Sequence, residues 1–379
     1  MKAFLAIACV LLARIMVAQT PQASFEDLAQ RAGGLVDSDP AQAATLFKEA
    51  LDLKPSWPEG WFYLGGCLFR LQRYTEARDT FHKGLDLAPK NGVAWGFLGL
   101  AEYELGNIDG ARAAIDKGER IGLGANKEFE AAVRQRGAMI LIRASLFDQA
   151  MGQLQPLSKQ GVNSPLIVET VGLCALAIPA PDPAKLPESR RKVVDMAGKA
   201  MWSASLQRPK EAKEGFDELL ATYPNEPGVH YAVGLFLMDS DQRGALVEFE
   251  KELKANPNSW TTLLVAAFLH TRQGTPEVAI EYADRARKLA PASYYWLCDA
   301  ELGRAMLAMD QPEKAVPLFE HAVKAQPDNA QTHFYLEQAY RRVGRKADAQ
   351  KEHAEFVRLT AQQDPDSLPT VKNNGNPQN

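Results

Sequence analysis

Apolar residues in this chain fall in short blocks at three- and four-residue spacing, the period of a helix with one buried stripe. Trp61 and Leu64 lie on one such stripe and Phe81 on the next. Each stripe is wide enough to pack both on a partner helix and on a neighbouring pair. The second block of each pair ends at a proline, such as Pro89, which lacks the N–H a helix needs and clashes with the preceding turn. Read in order, the pattern predicts paired helices of about a dozen residues from Phe25–Leu35 onward, with no other kind of element.

The blocks repeat. Alanine followed twelve residues later by proline marks six of the blocks, at Ala43, Ala77, Ala212, Ala245, Ala279 and Ala315, and in five of these a phenylalanine stands four residues after the alanine: Phe47, Phe81, Phe216, Phe249 and Phe319. Upstream, Trp61, Leu64 and Gly65 return 34 residues later as Trp95, Leu98 and Gly99. Antiparallel helices need small residues where they approach, which Gly65 and Gly99 on the first helix and Ala77 and Ala111 on the second supply. In period and pattern the chain resembles the tetratricopeptide repeat family from about residue 24 to 360. The resemblance implies an all-α, right-handed superhelical solenoid of antiparallel helix pairs, about nine repeats long.

In this register, residues 24–57, 58–91 and 92–125 make three contiguous repeats. The first helix of the first one, with Gln30 and Arg31, reads as a polar cap. A fourth runs over 126–163, with Phe147 and Ala150 opening its second helix. Regularity then fails. The helix expected at 166–178 is followed by four prolines in 179–187, which cannot be helical. A helix at 188–206 comes next, and then the marks Ala212, Phe216 and Pro224. The helix at 166–178 is thus expected to lack a partner, and 165–206 to be an irregular seam between an N-terminal half, 24–164, and a C-terminal half, 207–363. The register recovers at 227–259, 260–293, 296–329 and 330–363. The segment 364–379 has almost no apolar content and reads as a disordered tail.

Charge and termini add location. The formal net charge of −4 and the lack of a basic run argue against nucleic acid and anionic membrane as partners. Met1 and Lys2 precede an apolar run, Ala3 to Ala13, and Met16-Val17-Ala18 precedes polar Gln19, the layout of a signal peptide over 1–18. Arg14 cuts the run short of a membrane span. Export to the periplasm or outside is expected, with no transmembrane span. Cys9 follows Ala6-Ile7-Ala8 as in a lipoprotein box but lies too near the start to follow a full apolar region, so lipidation is disfavoured. Cys67, Cys174 and Cys298 are spaced as small packing residues.

Sites of chemistry are not apparent. The chain has no zinc-protease, serine-hydrolase, phosphate-loop or dinucleotide motif, and its six histidines lack metal-ligand spacing. Ser189-x-x-Lys192 matches a hydrolase pattern by letter only, at the start of a charged helix with nothing to depress the lysine pKa. No catalytic residue, cofactor or metal is expected.

What is left is surface. The family resemblance implies that first helices line a concave groove, with Trp61 at position 4 and positions 2, 5, 6, 9, 12 and 13 facing inward. That places Phe62, Tyr63, Phe69, Arg70, Phe97, Tyr103 and Glu104 in the N-terminal groove. Tyr231, Phe268, Arg272, Arg304, Phe334, Tyr335, Gln338, Arg341 and Arg342 fall in the C-terminal one. Rings cover apolar side chains and guanidinium groups bind carboxylates, so the expected partner is a protein or extended peptide with acidic and apolar side chains. Equally, these rings can pack between first helices, and the arginines can pair with Asp299, Glu301 or Glu337. The two-carboxylate clamp of the chaperone-tail-binding members is absent: its positions hold Phe62, Gly66 and Phe97. The expectation is a monomeric, non-catalytic interaction scaffold in the cell envelope. The alternatives are an enzyme or enzyme subunit with a site in 165–206, and a self-associating array, against which polar Gln350, Lys351, Glu352 and Glu355 on the last helix argue.

Overall fold

The computed structural model describes residues 23–179 and 185–363. The expected signal peptide at 1–18, the tail at 364–379 and residues 180–184 of the proline-rich loop lie outside them. Among the described residues the fold is all-α, with nineteen α-helices and no strand. In chain order these are α1 Phe25–Leu35, α2 Pro40–Leu53, α3 Pro58–Arg70, α4 Tyr74–Leu87, α5 Gly92–Glu104, α6 Ile108–Ile121, α7 Lys127–Arg143 and α8 Phe147–Lys159. Then follow α9 Pro165–Ala175, α10 Glu188–Ser205, α11 Pro209–Thr222, α12 Val229–Leu237, α13 Gln242–Ala255, α14 Trp260–Arg272 and α15 Pro276–Leu289. The last four are α16 Tyr295–Ala308, α17 Pro312–Ala325, α18 Ala330–Arg342 and α19 Lys346–Gln363. The chain divides into two compact units, one of residues up to Ala144 with Gly152–Val162, the other of Ser145–Met151 with residues from Asn163 on. The division falls inside α8, and 165–206 lies wholly in the second unit.

Helices α1 to α6 and α12 to α19 pack in consecutive pairs. In α3–α4, α5–α6, α14–α15, α16–α17 and α18–α19 the link from first to second helix contains a left-handed residue: Gln72 (φ 59°), Gly106 (77°), Gly274 (79°), Asp310 (56°) and Gly344 (78°). It reverses the chain within two or three residues. The small positions of the first helices do receive the second helices, through rings or branched side chains. A Cβ on Gly65 would stand 2.8 Å from the Phe81 ring, on Gly234 2.4 Å from Phe249, on Gly303 2.7 Å from Phe319, and on Gly99 2.6 Å from Ile115. Phe81, Phe249 and Phe319 are fully buried as a result.

The repeat proline has a second use. Its carbonyl oxygen accepts a hydrogen bond from position 4 of the following first helix: Trp61 Nε1 to Pro55 O, Trp95 Nε1 to Pro89 O, and His333 Nε2 with Pro327 O, each at 2.9 Å. One residue type thus stops a helix and fixes the start of the next.

The irregular segment corrects the expectation of an unpartnered helix. α9 packs along α10, and α10 packs on α11 with its length of 18 residues, so one long helix serves two neighbours. The α9–α10 crossing is backbone against backbone. A Cβ on Gly172 would lie 2.0 Å from Val194 O, and one on Gly198 2.1 Å from Val168 O. Regular pairing restarts at Gly228 (φ 88°), whose left-handed backbone lies against Leu176 O and whose N–H donates to buried Glu252 at 2.9 Å.

Candidate interaction face

Successive first helices touch one another, α3 with α5 and α5 with α7 in the first unit, α14 with α16 and α16 with α18 in the second. Their side chains make a face in each unit, and the sequence places the expected binding residues on it. The structure shows how far that face is already occupied by its own chemistry.

In the first unit Tyr63 stacks on Phe47 of the preceding repeat (5.4 Å, 8°), and Phe97 stacks on Phe81 (5.6 Å, 10°). Tyr335 does the same on Phe319 in the second unit (5.9 Å, 11°). In all three pairs the ring sits sixteen residues beyond the repeat phenylalanine, so the position-6 aromatics join repeats through one ring face. Tyr63 still exposes about half its surface, 52%. Phe97 is also packed on Phe69 and Phe129, and Phe62 covers Gly84 of its own pair. Tyr103 lies under the guanidinium groups of Arg136 and Arg143 at 5.3 and 5.5 Å, and Glu104 pairs with Arg136.

The second unit departs further from expectation. Tyr231 is buried, 4% exposed, with its hydroxyl against Thr261, and burial pushes that hydroxyl's pKa up. Arg304, placed to meet a partner's carboxylate, instead lies between the Phe268 ring at 4.5 Å and the Tyr335 ring at 4.9 Å. Its Nη1 donates to Glu301 at 3.0 Å. Burial raises the Glu301 carboxyl above the usual range, opposed by Arg304 and by the Thr271 hydroxyl. Arg342 donates to Leu307 O (2.7 Å) at the end of α16, as Arg70 does to Val36 O (2.7 Å) at the end of α1. These position-13 arginines satisfy carbonyls that a helix C-terminus leaves open. Arg341 is held by buried Glu337 at 2.6 Å, which His353 also approaches. Arg304 and Arg341 share one reason: a buried carboxylate on the same helix lies within ion-pair range.

Three expected residues are left less committed. Phe334 is 37% exposed, touching Tyr335 and Phe356 by its edges. Arg272 is exposed over Phe268 at 5.6 Å with no carboxylate in ion-pair range among the described residues. Gln338 is half-buried beside them on α18.

Sequence reading missed a cleft of about 280 Å³ inside the second unit. Trp260 and Thr261 at the start of α14, Tyr294 and Trp296 at the start of α16, and Asp148 on the first turn of α8 line it. Trp260 and Tyr294 pack with ring centres 4.7 Å apart. The run Tyr294-Tyr295-Trp296 was the sequence signal, three aromatics at a helix start. Among the described residues no group of histidines, cysteines and carboxylates is placed to hold a metal ion, and no helix is long and apolar enough to cross a membrane. Cys67, Cys174 and Cys298 are buried free thiols, and burial pushes Cys298 up to about 12.

The family model for the tetratricopeptide repeat matches residues 35–92 and 301–363. The chain carries tetratricopeptide repeats at those two stretches, which together make up about a third of it. Among solved structures, MamA from Desulfovibrio magneticus RS-1 is 21% identical and covers 46% of this chain and 97% of its own, with a TM-score of 0.41. Another MamA structure is 17% identical, covering 43% and 95%, with a TM-score of 0.38. No curated protein sequence matches the chain.

Proposed function

We propose that the chain is a non-catalytic scaffold that binds an extended segment of a partner protein along the first-helix face of its second unit. The observation that supports this is the run Phe268, Arg304, Tyr335, Phe334: alternating ring and guanidinium across three first helices, held rigid from below and open at Phe334. Rigid aromatic anchors lose little entropy when a partner docks. With Arg304, Arg341 and Arg342 already paired, preference for an acidic side chain rests on Arg272.

Affinity capture on the purified chain, followed by titration of the captured partner, tests the reading. Phe334→Ala with Arg272→Glu is expected to weaken binding by about tenfold or more; equal affinity for wild type and variant overturns it. The proposed location is the cell envelope, supported by the signal-like residues 1–18. Protein recovered from the periplasmic or outer fraction is expected to begin after Ala18. A chain starting at Met1 in the cytosolic fraction overturns the location.

A further inference from the structure

The cleft in the second unit has the chemistry of a cation site. Its walls include Trp260, Tyr294 and Trp296 alongside apolar Leu264, Val265 and Leu297, and its one carboxylate is Asp148; no lysine, arginine or histidine lines it. Ring faces are the negative pole of an aromatic quadrupole, and they attract ammonium and guanidinium groups most where water is thin. An acid on the first turn of a helix is commonplace, because the helix N-terminus favours its charge. Asp148 is itself an exposed residue where it lines the cleft, and the protein packed around it partly desolvates its carboxyl, raising it above the usual range. Its charge is felt by Tyr231 and Cys174, both buried beside it. No cation of the described chain forms an ion pair with Asp148, whereas most exposed carboxylates of the second unit's helices have a lysine or arginine three or four residues away. A carboxylate among aromatic walls with no partner of its own is stabilised by an incoming positive charge.

We propose that this cleft binds the cationic end of a lysine or arginine side chain presented by the partner protein, the ring faces enclosing it and Asp148 pairing with it. The proposal deepens the scaffold reading by giving the partner a basic residue, and a small free cation tests the site without any partner.

The experiment titrates the full-length protein with arginine amide and lysine amide at constant ionic strength, following the indole N–H signals of Trp260 and Trp296 by NMR. Saturable shifts are expected, with a dissociation constant on the order of 1 mM, as suits one ion pair and a few ring contacts. Asp148→Asn should weaken binding about tenfold while leaving the spectrum of the rest of the unit unchanged, and Trp296→Leu should weaken it too. No saturable shift in wild type, or equal binding by wild type and Asp148→Asn, overturns the site. In a second arm, a short peptide with a central arginine is compared with the same peptide carrying norleucine. Free cations that bind where neither peptide does would leave the cation site standing and overturn its use for a partner's side chain.

Discussion

At the residue scale, the side chains that looked available for a partner are largely the ones that hold repeats together. Arg304 shows the balance. Its charge is enclosed by two rings and matched by Glu301, which is itself buried. Arg304→Met keeps the stem and the ring contacts but leaves that carboxylate without its cation, with an expected cost of about 2–3 kcal/mol at pH 7.5. Burial already raises the Glu301 carboxyl, so the folded protein takes up this proton at a higher pH than the unfolded chain does. Stability tied to the group therefore falls as pH rises through that window, and losing Arg304 moves the upper edge of the window higher. The variant should accordingly recover part of its loss at pH 5, as read by urea unfolding at the two pH values; an equal loss at both would mean that Glu301 stays charged.

Elements are set by where backbones come close. Gly198 and Gly172 let α9 and α10 cross with each glycine against a carbonyl of the other helix, a contact for which side-chain adjustment offers no relief. Gly198→Ala is expected to destabilise by about 2–3 kcal/mol. Gly66, in the interior of α3 with nothing within 4 Å of a Cβ, is the opposite case. Gly66→Ala should stabilise by about 0.5–1 kcal/mol, because alanine removes only the glycine's excess freedom in a helix. Thermal and urea unfolding of the two variants decide the matter: a pair of shifts with the same sign would show that the crossing is looser than the structure has it. The comparison also explains why 165–206 breaks the two-helix rhythm. A helix held this tightly along one neighbour and long enough to reach a second takes the place of two ordinary helices.

For the whole molecule, repeat stacking makes each helix answer mainly to its neighbours, and the chain has two compact units. Damage should stay local. In hydrogen exchange followed by mass spectrometry, Gly198→Ala is expected to speed exchange in α9 to α13 and leave α3 to α6 unchanged; uniform acceleration along the chain would show a single cooperative unit. The amino-acid sequence by itself determined the helices, their pairing over most of the chain and the likeness to a repeat family, because alanine, glycine, phenylalanine and proline act through spacing along one or two helices. It could not show that α9 has a partner in α10, since the Gly172 and Gly198 contact spans a proline-rich loop that carries no repeat mark. Nor could it separate a ring that faces a groove from one that stacks on Phe47, Phe81 or Phe319, because both obey the same helical position. Only the tertiary structure decided which arginines were already paired, and it alone brought Asp148 beside Trp260 and Trp296, more than a hundred residues away. Charge pairing and enclosure depend on distances in space, and sequence separation does not fix them.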